Sequence, residues 1–125
     1  MRKPGRNMQL QGARVLIVED DFVVAMAANE MVRWLGGIVA GTARSVAAAK
    51  EKIRQPGLDC VMLDVNLNGD LSLGIAAELQ ERGIPFVFCT AYSHAFDGFE
   101  HVPRVVKPYC EHDLVAAFNA VPVRI

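Results

Sequence analysis

Apolar runs of strand length alternate along this chain with stretches of helical period. Residues 14–18 read as a strand through Val15-Leu16-Ile17-Val18. Residues 21–35 follow with Val24, Ala28, Met31 and Leu35 on one helical face, and Gly36-Gly37 stops them. Residues 37–42 read as a second strand. Ser45 caps a helix running to Gln55, which Pro56-Gly57 breaks. A third strand spans 58–63. A helix from Ser72 to Arg82 buries Ile75, Ala76 and Leu79 and ends at Gly83. Residues 85–90 and 102–106 are the fourth and fifth strands. A last helix, Glu111 to Val121, buries Leu114, Phe118 and Val121 before Pro122.

The strands are near-continuously apolar rather than alternating, so both faces of their sheet are covered. This predicts an α/β fold, a doubly wound five-stranded parallel sheet. One connection is short. Only residues 91–101 separate Thr90 from Val102, whereas a parallel crossover usually takes about a dozen residues or more. Asp97-Gly98 there reads as a turn. A full fourth helix does not fit, and the fourth helix is expected to be short or missing, with Phe96 and Phe99 folding down as anchors.

Four of the apolar runs end in polar residues. Glu19-Asp20-Asp21 follows the first, Asp64 closes the third, Thr90 closes the fourth and Lys107-Pro108 follows the fifth. In an open parallel sheet the carboxyl ends of the strands share one edge, where ligands bind. Carboxylates, a hydroxyl and an ammonium would converge there, a set suited to a hard divalent cation and a phosphoryl group. Mg²⁺ takes oxygen ligands and keeps several waters. Asp20 and Asp64 could ligate it directly and Glu19 through water. A phosphoryl group on Asp64 would need donors, which Lys107 and Thr90 supply. Each element also has a plainer reading. The acids at 19–21 could cap a helix, Asp64 could be a loop carboxylate, Lys107 a surface lysine, and Thr90 a satisfied strand-end hydroxyl. Their joint placement at four strand ends, in order, carries the functional reading.

The 125 residues fit one domain: a flexible leader at 1–12, a folded domain at 13–121 and a tail at 122–125. A formal net charge of -1 argues against a nucleic-acid partner. Arg2, Lys3 and Arg6 sit in the leader, where a solvated terminus is the simpler reading than an electrostatic arm. Cys60, Cys89 and Cys110 have neither metal nor redox spacing, which fits a reducing compartment. No apolar stretch reaches the roughly 18 residues of a membrane span. The leader has no signal-peptide core. A cytoplasmic location, away from membranes, is expected. His94, His101 and His112 lack ligand spacing and read as surface residues; Trp34 reads as packing.

With these residues in view, the chain resembles a response-regulator receiver domain over residues 13–121. The matching pieces are Val15-Leu16-Ile17-Val18-Glu19-Asp20, Leu63-Asp64-Val65-Asn66, Cys89-Thr90-Ala91 and Val105-Val106-Lys107-Pro108. The stretch Ile84-Pro85-Phe86-Val87-Phe88-Cys89-Thr90-Ala91-Tyr92 further resembles the FAT GUY receiver subfamily, whose pattern is Pro-Phe-x-Phe-Ala-Thr-Gly-Tyr. Cys89 stands for its Ala and Ala91 for its Gly. The resemblance implies a flavodoxin-like strand order 2-1-3-4-5 and a cis Lys107–Pro108 peptide. It implies Asp64 as phosphoacceptor, and Glu19, Asp20, Asp64 and the backbone carbonyl of Asn66 as ligands of Mg²⁺ or Mn²⁺. Thr90 and Lys107 would hold the phosphoryl oxygens. The donor would be a histidine kinase or a histidine phosphotransfer protein.

The expected function is thus two-component or phosphorelay signalling by a stand-alone receiver. Its output would be protein–protein contact or onward phosphotransfer to a downstream partner the sequence does not name. It would catalyse only its own phosphorylation and dephosphorylation. The position three before the lysine usually holds an inward-turning Tyr or Phe; here it is Arg104, whose charged head is costly to bury. The usual threonine–aromatic switch therefore lacks its ring. Two other classes compete. A small-molecule phosphatase or phosphotransferase with an aspartyl nucleophile, as in haloacid dehalogenases, would place that nucleophile after the first strand and carry a cap. A flavin or nucleotide module of the same topology would bring phosphates against three carboxylates.

Overall fold

The computed structural model describes residues 10–91 and 96–121. Its main sheet is built from β1 (Arg14–Val18), β2 (Ile38–Ala43), β3 (Cys60–Asp64), β6 (Phe86–Thr90) and β7 (Arg104–Val106). All neighbours pair in parallel, in the spatial order β2-β1-β3-β6-β7. Counted along the five strands of this sheet, that is 2-1-3-4-5. The remaining strands, β4 (Asn66–Leu67) and β5 (Asp70–Leu71), form a separate two-stranded antiparallel ladder. The helices are α1 (Phe22–Trp34), α2 (Val46–Ile53), α3 (Leu73–Arg82) and α4 (Glu111–Asn119).

Period-2 alternation in the strands sorts the core into two layers. Val15 and Ile17 of β1, Cys60 and Met62 of β3, Val87 and Cys89 of β6 and Val105 of β7 pack with Ala28 and Val32 of α1 and Leu114 and Phe118 of α4. Leu16, Val18, Val61, Leu63, Phe86 and Phe88 point the other way, onto Ala49 and Ile53 of α2 and Ile75, Ala76 and Leu79 of α3. Every residue of β3 and β6 is buried. That is why their sequences read as unbroken apolar runs.

Several expectations shift in detail. The buried stripe of α1 is Ala25, Ala28, Val32 and Leu35, with Val24 and Met31 only half-buried. Trp34, expected to pack, is 47 % exposed. Leu10, inside the stretch read as a flexible leader, is fully buried against the α1 and α4 layer, and the Gly12 N–H donates to the Gly36 carbonyl. The segment after β3 is the β4–β5 hairpin. Asn68 and Gly69 have φ of 54° and 94°, the positive pair a tight hairpin turn requires.

The connection from β6 to β7 contains no helix among its described residues, 91 and 96–103; residues 92–95, including His94, lie outside them. In place of a helix, Phe96 and Phe99 meet Phe88 edge-on, with ring centroids 5.5 and 5.9 Å away. Edge-to-face pairs add about 0.5–1.5 kcal/mol each beyond burial. Two aromatic anchors thus cover the end of the core with few residues.

Candidate functional site

The carboxyl ends of β1, β3, β6 and β7 meet at one edge of the sheet. Glu19, Asp20, Asp64, Asn66, Thr90 and Lys107 line an open pocket of about 360 Å³ there. One oxygen from each of Glu19, Asp20 and Asp64 lies within 4.8 Å of the others. Glu19, Asp64 and Thr90 are buried polar residues, at 3 %, 4 % and 1 % exposure. The Glu19 N–H donates to the Ala43 carbonyl, holding the end of β1 against β2.

Asp20 and Asp21 are separated by role. The Asp21 carboxylate accepts from the Val23 and Val24 N–H groups as the N-cap of α1. Both acids border the pocket, but helix capping occupies the Asp21 carboxylate, and it is Asp20 that clusters with Glu19 and Asp64. The Arg44 guanidinium donates to the Asp20 carbonyl at 3.2 Å.

The Lys107 ammonium lies 2.7 Å from Glu19 Oε1 and 3.1 Å from Asp64 Oδ2. The Lys107–Pro108 peptide is cis, and the Lys107 N–H donates to the Thr90 carbonyl. The other Asp64 oxygen accepts from the Asn66 N–H at 3.2 Å. Burial pushes the Glu19 carboxyl up to about 7, although its hydrogen bond to Lys107 pulls the other way. Burial opposes the charge on Lys107, but hydrogen bonds to Glu19 and Asp64 outweigh it and raise its pKa. Two buried acids thus share one ammonium, a crowding of negative charge that a divalent cation would relieve.

A model of the response regulator receiver domain matches residues 15–119, spanning all of these positions. The chain belongs to the response regulator receiver domain family. The solution structure of SdrG from Sphingomonas melonis Fr1 is 34 % identical to this receiver, covering 87 % of this chain and 95 % of that one with a TM-score of 0.80. The PhyR response regulator REC domain of Erythrobacter litoralis is 28 % identical, covering 88 % of this chain and 90 % of its own, with a TM-score of 0.78. PhyR of Bartonella quintana, described as an anti-anti-sigma factor, is 28 % identical; the match covers 91 % of this chain and 50 % of that protein, at a TM-score of 0.71. Comparison with curated proteins gave no match. No helix among the described residues is long and apolar enough to cross a membrane.

Two residues around the site escaped the sequence reading. Ser72 is fully buried, and its hydroxyl donates to the Asp64 carbonyl at 2.5 Å. In the sequence it stands only as the first residue of a helix. Tyr109, two residues beyond Lys107, is partly buried and hydrogen-bonded to Cys89. Burial pushes the Cys89 thiol up to about 12, so Cys89 is a neutral packing group below Thr90. His101 is exposed and shares a hydrogen bond with Gln80, and Arg104 is half-buried in register with Phe88.

Proposed function

We propose that Asp64 accepts a phosphoryl group from a phosphohistidine of a histidine kinase or phosphotransfer protein. The observation that carries this reading is the sharing of one ammonium, that of Lys107, between buried Asp64 and Glu19, with Asp20 beside them. The donor set, three carboxylate oxygens and the Asn66 carbonyl nearby, fits Mg²⁺ or Mn²⁺, both hard oxygen-seeking ions. Glu19, Asp20, Asp64 and the Asn66 carbonyl would hold it. Such a cation supplies neutralisation of the charge repulsion between carboxylate and phosphoryl group.

The chain's own residues divide the remaining work. An Asp64 oxygen attacks phosphorus; the O–P bond forms as the donor's N–P bond breaks, and the imidazole, protonated at its other ring nitrogen, takes the N–P electron pair and departs neutral. The Asn66 N–H and Lys107 ammonium fix the carboxylate before attack. Lys107 then shifts to the phosphoryl oxygens, and the Thr90 hydroxyl donates to another. Output is protein–protein contact or onward transfer. The kinship with PhyR supports a protein partner as the recipient of the signal.

Incubation with acetyl phosphate and Mg²⁺, read by intact mass, tests this. The parent should gain one phosphoryl group. EDTA or Asp64→Asn should abolish the gain while the fold persists. Undiminished labelling of Asp64→Asn overturns the assignment.

A further inference from the structure

Four polar side chains are buried among the described residues: Glu19, Asp64, Thr90 and Ser72. The first three line the acidic pocket, and Ser72 does not. It stands at the N-cap of α3, where a serine ordinarily accepts a hydrogen bond from the helix's first free N–H groups. Ser72 makes no such bond. Its hydroxyl turns the other way and donates to the backbone carbonyl of Asp64. Ser45 shows the contrast, since its hydroxyl accepts from the Ala48 N–H at the start of α2.

Asp64 is the last residue of β3; it still pairs with Cys89 of β6, but the ladder with β1 ends one residue earlier, at Leu63. A buried carbonyl there needs a donor. Ser72 supplies it, and its own N–H donates to the Val65 carbonyl at 2.8 Å. The two bonds close the segment 64–72 at its base. Inside it, Asn66 pairs with Leu71 and Leu67 with Asp70, and the Gly69 N–H donates to the Asn66 side chain. The peptide orientation at 64–66 is thereby fixed from both ends. That orientation aims the Asn66 N–H at Asp64 Oδ1 and sets where the Asn66 carbonyl stands.

We propose that Ser72 is a positioning residue for the acidic site, acting through the Asp64 backbone to set the carboxylate and the Asn66 carbonyl for the cation. The inference rests on the phosphoacceptor reading of Asp64. Losing an outer partner of a metal ligand typically costs 10–100-fold in affinity. Acting through backbone, Ser72→Ala should weaken Mg²⁺ binding by about tenfold and slow acetyl-phosphate labelling with it.

The experiment measures Mg²⁺ Kd by amide shifts, together with Tm, for the parent, Ser72→Ala, Ser72→Cys and Ser45→Ala. Ser72→Cys keeps the volume with a weaker donor and decides the matter if Ser72→Ala does not fold. Ser45→Ala removes the side-chain cap of α2 at a residue that does not line the pocket, so it should lower Tm and leave Kd unchanged. A Kd for the Ser72 variants within twofold of the parent overturns the proposal, as does an equal weakening in Ser45→Ala. A parent that neither binds Mg²⁺ nor labels at Asp64 would instead overturn the underlying reading of the site.

Discussion

The Lys107 ammonium sits 2.7 Å from a Glu19 oxygen, nearer than the 3.1 Å that separates it from Asp64. The lysine of the site thus lies nearer to Glu19 than to Asp64, the acceptor proposed above. Glu19 is 3 % exposed, and burial pushes its carboxyl up to about 7 in spite of that contact.

A pH dependence follows from the sign of this shift. The native state holds the Glu19 proton more tightly than the unfolded chain, where it titrates near 4.5. The associated stabilisation is complete below 4.5 and lost as pH rises through about 7. Metal-free protein in EDTA should melt lower above that range than below it. Glu19→Gln should flatten the difference, and so should saturating Mg²⁺, since metal and proton compete for one carboxylate. Identical pH slopes in the parent and Glu19→Gln would refute this.

Asp20 and Asp21 should separate cleanly in a mutant pair. Asp21 caps α1, and losing such a cap costs about 1 kcal/mol. Asp21→Ala should therefore lower Tm and keep Mg²⁺ affinity. Asp20 adds a like charge to the pocket, so Asp20→Asn should lose Mg²⁺ affinity while melting no lower than the parent without metal. Titration and thermal melts on the two variants are enough. Equal loss of affinity in both would mean the acidic register is set one residue too early.

These two adjacent acids also show what sequence could carry. Strand ends, the two layers and the order of the site residues were legible because parallel strands buried on both faces spell unbroken apolar runs, and polar residues mark where burial stops. Which of Glu19-Asp20-Asp21 caps the helix was open, since capping and metal binding call for the same residue types. Ser72 was hidden for a related reason: a serine before a helix reads as a cap, and only the fold brings its hydroxyl to the Asp64 carbonyl. The α1 stripe was read one helical step aside, because Val24 and Met31 are apolar yet half-buried where Ala25 and Val32 take the core. Propensity and period do not distinguish two apolar stripes on one helix.

Leu10 gives the strongest stability prediction. It lies within the stretch read as a leader, yet it is fully buried beside the α1 and α4 layer. Truncating a buried leucine costs about 2–5 kcal/mol. Leu10→Ala should lower the midpoint of urea unfolding accordingly, with an unchanged slope. A change below about 0.5 kcal/mol, the usual range at surface positions, would show that Leu10 does not belong to the core.

The last prediction concerns how phosphorylation is read out. Arg104 pairs with Phe88 in register and is half-buried. It offers no ring to fill a cavity behind Thr90. Phe88, two residues before Thr90 in β6, instead carries the edge-on contacts to Phe96 and Phe99. A displacement of Thr90 toward a phosphoryl group on Asp64 would strain that cluster directly, and a change of a few kcal/mol shifts a two-state segment. Amide shifts of free protein and its beryllofluoride complex, which stands in for the phosphoryl form, give the comparison. Large changes should run through Phe96 to His101. Thr90→Ala and Phe96→Ala should shrink them, whereas Arg104→Ala should leave most of them in place. If Arg104→Ala erases the response and Phe96→Ala does not, the signal runs through β7 and the aromatic cluster is only packing.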